Sequence, residues 1–346
     1  MKGRIILPKD VENILTSNIN GIENLSLLLN KYIDFWIINK NRYEYEKEGS
    51  KNQIKGKSKV LNRAVAYSKS TSISKNFYKN FVNRYKYFLS QIKATQIYGK
   101  VHWRLVVGLG TNSVLETSMT LHHILGVPYI PGTAVKGMLS TYYIEQNREQ
   151  LEEKLREYKE NDENENKKKY ATIEEFASEQ DENYIKLFGN QKNKGNVTFL
   201  DAYPENFPVL EIDVMNCHYQ PYYSGDTENG QLTPPADWLS PNPIKFLTVK
   251  KDTKFIFPFI TENDEMKRDV ETLIKGALEN LGIGAKTAVG YGYFKEVEIL
   301  NIEEKSGDLL EDKKQNVQPL PAYLKSETEL KDEFLNSDGT LKTEEE

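Results

Sequence analysis

Cysteine is almost missing from this chain of 346 residues, since Cys217 is the single one. One cysteine excludes a disulfide framework within the chain and any zinc or iron–sulfur site built from several cysteines. The sequence also lacks a run of about 18 apolar residues, so we expect no membrane-spanning helix. Its first residues contain no apolar stretch of the kind found in secretory signal peptides. These absences predict an intracellular, cytoplasmic protein.

Acidic residues are missing from one long stretch. The whole chain carries 46 Lys and Arg against 51 Asp and Glu, a net charge of −5, yet residues 51–100 contain twelve Lys and Arg and no acid. Residues 149–183 and 301–346 have the opposite bias, each with 13 acids against six basic residues. Uncompensated positive charge predicts a polyanionic partner, with a solvated helical face as the alternative. The interleaved aromatic residues favour RNA, because cations neutralise phosphates and rings stack on nucleobases.

The sequence pattern divides the chain into three parts. Residues 1–95 are predicted to be a helical, basic N-terminal region, because apolar residues recur there at near-helical spacing. Residues 96–303 are predicted to form one mixed domain, with a charged, solvent-exposed insertion at 149–183. Residues 304–346 have too little apolar surface to offset ordering entropy, and we expect a disordered acidic tail.

An aromatic stripe lies in the N-terminal part. Phe77, Phe81, Tyr85 and Phe88 are spaced so that they fall on one face of a helix. Such a stripe at helical spacing is typical of a core-facing surface. We therefore expect these four rings to pack inward, with the neighbouring lysines and arginine facing solvent or a partner.

The mixed domain alternates strand and helix patterns. We predict a strand over 98–107, then a helix over 134–146 capped by Thr133, followed by short strands and a hairpin. A helix over 265–280 ends with Gly282 at a C′ position, and a final strand covers 288–300. Strand, helix, strands, helix, strand is the order of a ferredoxin-like (RRM-like) α+β domain.

A glycine-rich loop follows the second of these helices. Gly282, Gly284, Gly290 and Gly292 have the spacing G-x-G-x5-G-x-G. This spacing matches neither a P-loop nor a dinucleotide fingerprint, which also require a strand before the loop and a helix after it. The backbone amides of such a loop can approach an anion closely, and Lys286 adds a point charge. A flexible connector is the alternative interpretation.

Several motifs together resemble one protein family. The stretch LGIGAKTAVGYGYF resembles the C-terminal glycine-rich loop of the RAMP superfamily of CRISPR proteins. Together with RLVVGLGTNSVLETSMTLHHILGVPYIPGTAVKGML, FLDAYP, EIDVMNCHY and NPIKFLTV, it is similar to RAMP subunits of the Cmr complex, the type III-B CRISPR effector. The resemblance covers roughly residues 97–300 and implies a ferredoxin-like RAMP domain.

The resemblance also implies a role and partners. It implies a subunit of a ribonucleoprotein in antiviral defence that caps the end of the filament where the 3′ part of the guide RNA lies. The implied partners are guide RNA, target RNA as a further candidate, the first Cmr subunit and the backbone subunits. RNA cleavage belongs to the backbone subunit in this family, so the resemblance implies no catalytic residues, no metal and no cofactor here.

Four further side chains are candidate RNA contacts. Lys136 lies in the first turns of a predicted helix, where N-terminal amides favour a phosphate. His122 and His123 are adjacent, so on a strand only one could line a site. Arg104 is expected to lie opposite Trp103 and to face away from the core. For each of these residues a packed or plain surface role is the alternative.

Two aspartates stand in apolar strand contexts. Asp201 and Asp213 are candidates for a metal site only if they converge with another oxygen ligand, and no spacing enforces that. Hydrogen bonding at turns or strand edges is the favoured interpretation.

The sequence therefore predicts a non-catalytic RNA-binding and assembly subunit. The predicted RNA contacts are Arg104, His122, His123, Lys136, Gly282, Gly284, Lys286, Gly290 and Gly292. One alternative is a metal-independent RAMP endoribonuclease with His122 or His123 as general base. Another is a capping subunit that binds protein only.

Overall fold

The computed structural model describes most of the chain before residue 301. The described residues are 24–33, 36–39, 42–45, 47–48, 53–54, 56–69, 73–160, 169–228, 231–239, 241–261 and 263–300. The predicted acidic tail, residues 304–346, lies outside them. None of the described helices is long and apolar enough to cross a membrane.

Helices and strands alternate along the chain. The helices are α1 (Leu25–Asn30), α2 (Lys57–Lys69), α3 (Ile73–Gln91), α4 (Gly132–Gln146), α5 (Arg148–Glu160), α6 (Ile173–Gln180), α7 (Glu182–Phe188), α8 (Gln220–Tyr223) and α9 (Asp264–Asn280). The first strands are β1 (Trp36–Asn39), β2 (Arg42–Tyr45), β3 (Lys47–Glu48), β4 (Gln53–Ile54), β5 (Thr95–Val101), β6 (Thr198–Phe199) and β7 (Tyr203–Pro204). The later strands are β8 (Leu210–Cys217), β9 (Thr227–Glu228), β10 (Gln231–Leu232), β11 (Asn242–Val249), β12 (Lys254–Ile260) and β13 (Phe294–Leu300).

The central sheet is antiparallel, in the order β13–β5–β12–β6, with β7 also pairing with β12. Separately, β8 and β11 pair in register over their whole length, from Leu210↔Val249 to Cys217↔Asn242. Helices combined with antiparallel strands confirm the predicted α+β class.

Both faces of the central sheet are covered. Ile97 and Phe257 belong to the main core, which also contains side chains of α4 and α9. Tyr98 and Ile256 alternate with them and belong to a second core that includes Tyr78 and other side chains of α3. Because successive residues of a strand point to opposite faces, the sheet lies between α3 on one side and α4 and α9 on the other.

Some boundaries differ from the sequence prediction. The strand expected to reach residue 107 ends at Val101, because the chain bends immediately after it. The strand expected from residue 288 starts at Phe294, since a short 3₁₀ turn, Thr287–Val289, precedes it. The N-terminal part contains β1 to β4 as well as helices, which its apolar spacing did not predict.

The aromatic stripe of α3 is only partly in the core. Phe81 and Tyr85 are half-buried, but Phe77 and Phe88 are exposed, so the prediction that all four pack inward is wrong. The buried line is instead Tyr78, Val82 and Leu89, one residue further along the helix.

The charged insertion contains a small core of its own. Leu151 and Leu155 are one turn apart on α5 and are buried, the latter against Phe176 of α6. These helices therefore have an apolar side despite their charge. Residues 161–168 of the insertion lie outside the described residues.

Candidate nucleic-acid interface

The glycine-rich loop, residues 282–292, connects α9 to β13. Gly282 follows the C-cap residue of α9 with φ of 74°, and its N–H donates a hydrogen bond to the Ala277 carbonyl at 2.9 Å. This confirms the predicted C′ glycine, because that position requires a left-handed backbone.

Two positions of the loop must be glycine, because another part of the backbone passes too close to leave room for a side chain. A Cβ on Gly284 would lie 2.4 Å from the Val106 carbonyl oxygen. A Cβ on Gly292 would lie 2.0 Å from the Ile283 carbonyl oxygen. Both residues also have positive φ, so only glycine fits without displacing the backbone.

Residues 104–106 hold the loop in place. The Ala285 N–H donates to the Val106 carbonyl at 2.8 Å, and the Gly292 N–H donates to the Arg104 carbonyl at 2.7 Å. These bonds bring Arg104, a candidate from a distant part of the sequence, beside the loop. Arg104 and the glycines are separate candidates in the sequence, which contains no signal for their contact.

Carboxylates bind the Arg104 side chain. Its guanidinium forms an ion pair with Asp213, and its Nε lies 3.5 Å from a Glu211 oxygen. Asp213 also accepts a hydrogen bond from the Tyr291 hydroxyl at 2.5 Å. Asp213 therefore has the hydrogen-bonding role that the sequence analysis favoured over metal binding.

The pKa values in this network follow from burial and charge. Burial alone would raise the pKa of Asp213, but hydrogen bonds from Tyr291 and the Val214 amide, together with the charge of Arg104, hold it below its ordinary value. Burial and the hydrogen bond to Asp213 raise the pKa of Tyr291 to about 12. At neutral pH Arg104 and Asp213 are therefore both charged, and Tyr291 is a neutral hydroxyl that donates to Asp213.

Trp103 is exposed beside this network. The sequence predicted a strand here, with Arg104 facing away from the core and Trp103 on the opposite, core-facing side. That expectation is wrong, because β5 ends at Val101 and period-two alternation no longer applies. Trp103 has 43% of its surface exposed. Its ring lies 4.9 Å from that of Tyr291 and 5.1 Å from the Arg104 guanidinium carbon. Sequence reasoning missed it as a functional candidate.

Lys286 lies at the outer turn of the loop. Its backbone is left-handed, with φ of 63°, and it precedes the 3₁₀ turn. Its Nζ lies 5.9 Å from the ring centre of Phe246 and 6.0 Å from that of Tyr291. The N–H groups of residues 286–288 have no acceptor among the residues that the structure describes. We call Trp103, Arg104 and Lys286, together with the buried Tyr291 beside them, the loop surface.

The two histidines form a second group. They lie in a turn rather than on a strand, so the expectation that they point to opposite faces is wrong. Their rings stack at 5.1 Å with an interplanar angle of 14°. The Nδ1 of His122 accepts from the amides of Ile124 at 3.3 Å and Leu125 at 3.2 Å. Burial and the neighbouring His123 lower the pKa of His122, against the opposing effect of Asp201.

Lys136 is exposed on α4, as expected of a surface contact. The helix begins differently from the prediction, because its N-cap is Pro131 and Thr133 does not cap it. Instead, Asp201 accepts a hydrogen bond from the Gly132 amide at 2.8 Å. A carboxylate therefore already occupies part of the helix terminus that was expected to favour a phosphate.

Apart from Lys136, the predicted candidates thus fall into two groups, one at the loop surface and one around His122. Tyr129 and Tyr203 lie 5.7 and 6.0 Å from the His122 ring and extend the second group. In the part of the chain that the structure describes, no three His, Cys, Asp or Glu residues are grouped so that they could hold a metal ion.

Known proteins resemble this chain over most of its described length. The model of the RAMP superfamily matches residues 100–295. A CRISPR system Cmr subunit Cmr6 from Pyrococcus furiosus is 35% identical over 260 residues, which cover 63% of this chain and 73% of the relative. A Cmr6 subunit from Saccharolobus solfataricus is 25% identical over 314 residues, covering 84% of this chain and 94% of the relative.

Two solved structures are also similar. One is a type III-B Cmr-beta complex bound to cognate target RNA, with 20% identity, a TM-score of 0.48, and coverage of 84% of this chain and 90% of the matched chain. The other is Cmr6 from Pyrococcus furiosus, with 34% identity, a TM-score of 0.34, and coverage of 58% and 96%.

The family model spans more than half of the chain, and the Pyrococcus relative is matched over most of its own length. The chain therefore belongs to the RAMP superfamily and, within it, to the family of Cmr6 subunits, the sixth subunits of type III-B CRISPR Cmr complexes.

Proposed function

We propose that this chain is a non-catalytic RNA-binding and assembly subunit that caps the guide-RNA 3′ end of a cytoplasmic type III-B CRISPR effector complex. Its partners are the guide RNA, the target RNA paired with it, the first Cmr subunit and the backbone subunits. The observation that carries the RNA-binding part is the loop surface. There a lysine, an arginine and an exposed tryptophan lie beside a glycine loop whose amides at 286–288 have no acceptor among the described residues.

The fold is proposed to be ferredoxin-like. Along the chain, the strands of the central sheet and the two helices packed on it occur in the order β5, α4, β6 and β7, β12, α9, β13. This order corresponds to the βαββαβ arrangement of ferredoxin-like domains. The antiparallel sheet order supports the same arrangement.

RNA is proposed to bind at the loop rather than across the sheet. RRM domains stack bases on an open sheet face. Here that type of surface is closed on both sides, because Tyr98 and Ile256 are buried under α3. The loop surface at the ends of α9 and β13 is accessible instead.

Each part of the loop surface suits a different part of RNA. Lys286 and the amides of residues 286–288 suit phosphate oxygens. The exposed ring of Trp103 suits a stacked base, and stacking is tolerant of sequence. Contacts of this kind position RNA without reading its bases, which a subunit that accepts many guides requires.

The geometry of His122 supports a non-catalytic role over the endoribonuclease alternative. Two backbone N–H groups point at its Nδ1, which assigns the proton of the neutral ring to Nε2. A ring in that state has no free lone pair with which to remove a proton from a ribose hydroxyl.

The test is guide-RNA retention by the assembled complex across a salt series. Lys286→Ala should weaken retention of all guide sequences alike and reduce the slope of log affinity against log salt by about one unit, since one phosphate contact is lost. Lys159→Ala removes the same charge from an exposed position on α5 and should leave the slope unchanged.

Equal affinity and slope for wild type and Lys286→Ala would contradict RNA binding at the loop. Retention that depends on guide sequence would contradict the backbone-only mode of binding.

A further inference from the structure

The hairpin formed by β8 and β11 carries an exposed end. Burial decreases along β11 from the fully enclosed Phe246–Val249 region to the half-buried residues 242–244. Beyond the last pair, Cys217↔Asn242, the chain forms α8 and the β9–β10 pair before it returns. We call the described residues 218–228 and 231–239 the hairpin tip.

The hairpin tip exposes four large side chains that are apolar or aromatic. Their exposed fractions are 79% for Trp238, 73% for Tyr223, 69% for Leu232 and 46% for Tyr222. Single exposed apolar residues are common on any protein, but a concentration within one short segment marks an interaction site. Tryptophan and tyrosine are also the residues that most often dominate binding energy at protein interfaces.

Internal hydrogen bonds fold the tip into one element. The Asp226 amide donates to the Pro221 carbonyl at 2.9 Å, and the Thr233 amide donates to the Asp226 carbonyl at 2.9 Å. The Tyr219 hydroxyl lies 3.4 Å from an Asp237 carboxylate oxygen. These bonds join the segments that carry the four exposed side chains, so the tip presents them from one element.

The charge of the tip indicates the kind of partner. No Lys or Arg occurs between His218 and Ile244, whereas Asp226, Glu228 and Asp237 do. Asp226 and Asp237 are exposed. Negative charge without a cation repels phosphates, which excludes the electrostatic attraction that RNA binding needs. It complements a protein surface that carries Lys or Arg.

We propose that the hairpin tip docks onto a neighbouring protein subunit, at a site where lysine or arginine side chains surround an apolar pocket, with Trp238 as the anchor. This interface goes beyond the proposed grip on RNA and is independent of it. The loop surface has a different character, since Lys286 supplies a positive charge there, whereas the charge of Arg104 is balanced by Asp213.

The experiment measures the dissociation constant of the full-length chain from the rest of the assembled complex. Trp238→Ala should raise that constant about 10- to 30-fold, the range of an interface anchor. Phe77→Ala removes an exposed aromatic ring from α3 and serves as the matched control, with no change expected. Both side chains are exposed, so the unfolding midpoint of each variant should equal that of the wild type.

A second variant tests the charge of the site. Asp226→Lys combined with Asp237→Lys should weaken assembly further and slow association, because it places like charges against the partner. The wild-type chain should assemble more weakly as salt is raised. The double variant should assemble more strongly, because salt then screens a repulsion.

Three outcomes would overturn the proposal. The first is an unchanged dissociation constant for Trp238→Ala. The second is loss of guide-RNA retention by Trp238→Ala with assembly intact, or stronger retention by the double lysine variant, either of which would assign the tip to RNA. The third is a dimer of the isolated chain that Trp238→Ala disrupts while assembly is unaffected. None of these measurements uses a Lys286 variant. A wrong proposal for the hairpin tip can therefore be distinguished from a wrong proposal for RNA binding at the loop.

Discussion

Glycines in the loop differ in what they require of their surroundings. Gly292 is enclosed by the Ile283 carbonyl, whereas no atom lies within 4 Å of a Cβ placed on Gly290. Both have positive φ, of 74° and 93°. In the sequence the four glycines look equivalent. The structure shows that Gly292 has no room for a side chain, whereas Gly290 has room and is restricted only by its positive φ.

Replacement of these two glycines should therefore have unequal costs. Gly292→Ala should lower the free energy of unfolding by about 2–5 kcal/mol, because strain and overpacking both apply. Gly290→Ala should cost about 1–2 kcal/mol, because only the left-handed backbone is penalised. Urea denaturation measures both, and equal costs would show that the loop relaxes around the added methyl group.

Asp181 is a buried hydrogen-bond acceptor inside the charged insertion. It has 4% of its surface exposed and accepts from the Tyr143 hydroxyl, the Tyr184 amide and the Lys154 ammonium. Burial alone would raise its pKa, but these three donors hold the pKa below its ordinary value of 3.8. The insertion was predicted to be solvent-exposed. Asp181 is one of its 13 acidic residues, and the sequence does not distinguish a buried carboxylate from an exposed one.

Asp181→Asn should destabilise the protein in a pH-dependent way. The folded-state pKa lies below the unfolded one, so the carboxylate contributes its stability above pH 4 and loses it as the pH falls through the folded-state value. At pH 7 we expect a loss of about 1–3 kcal/mol, typical of hydrogen bonds to a charged group. The difference between the variant and the wild type should shrink toward pH 3 in urea denaturation. A difference that is constant with pH would contradict this account.

At the scale of elements, helix α3 shows what apolar periodicity can and cannot predict. The spacing of its aromatic residues predicted a helix, and a helix is present. The predicted buried face was wrong by one residue position. Two neighbouring rows of side chains on this helix are both apolar or aromatic, so the spacing alone does not show which row is buried. Tyr78 settles the direction, since it is buried and its hydroxyl donates to the Pro204 carbonyl at 2.6 Å.

Two neighbouring residues of α3 test this orientation. Leu89→Ala should cost about 2–5 kcal/mol of unfolding free energy, because its side chain is fully buried in the second core. Phe88→Ala should cost less than about 1 kcal/mol, since its ring is exposed and contacts mainly Tyr85. The reverse order of costs would restore the inward-facing stripe that the sequence predicted.

Elements with local signals were predictable from the sequence. Asn280 ends α9 and Gly282 follows it as expected, because the C′ glycine is a local signal. The end of β5 and the start of β13 were not predictable, since a bend after Val101 and a 3₁₀ turn depend on the loop packing against residues 104–106.

At the scale of the whole molecule, the candidate site depends on contacts between distant segments. The motifs identified the family, and the glycine loop and Arg104 were both candidates from the sequence. Their union with Asp213 and Trp103 was not predictable, because nothing in the local sequence pairs an arginine near the start of the domain with an aspartate on β8. Long-range ion pairs are a property of the fold, not of any one segment.

The whole chain is expected to leave RNA intact. Purified protein, with or without Mg²⁺, should not cut guide or target RNA, because two backbone amides occupy the Nδ1 lone pair of His122. Gel analysis of labelled RNA measures this, with His123→Ala as the comparison. Specific scission that disappears in His123→Ala would establish an endoribonuclease.

The position of β5 in the middle of the sheet determines when the fold can be completed during synthesis. Both neighbours of β5 come much later in the chain, since Gln96 pairs with Pro258 on one side and with Leu300 on the other. As the chain leaves the ribosome, β5 therefore has two unpaired edges until β12 and then β13 emerge. Sheets closed by such distant partners fold slowly and expose strand edges that invite aggregation. We therefore expect the nascent chain to need protection by chaperones until β13 has been synthesised.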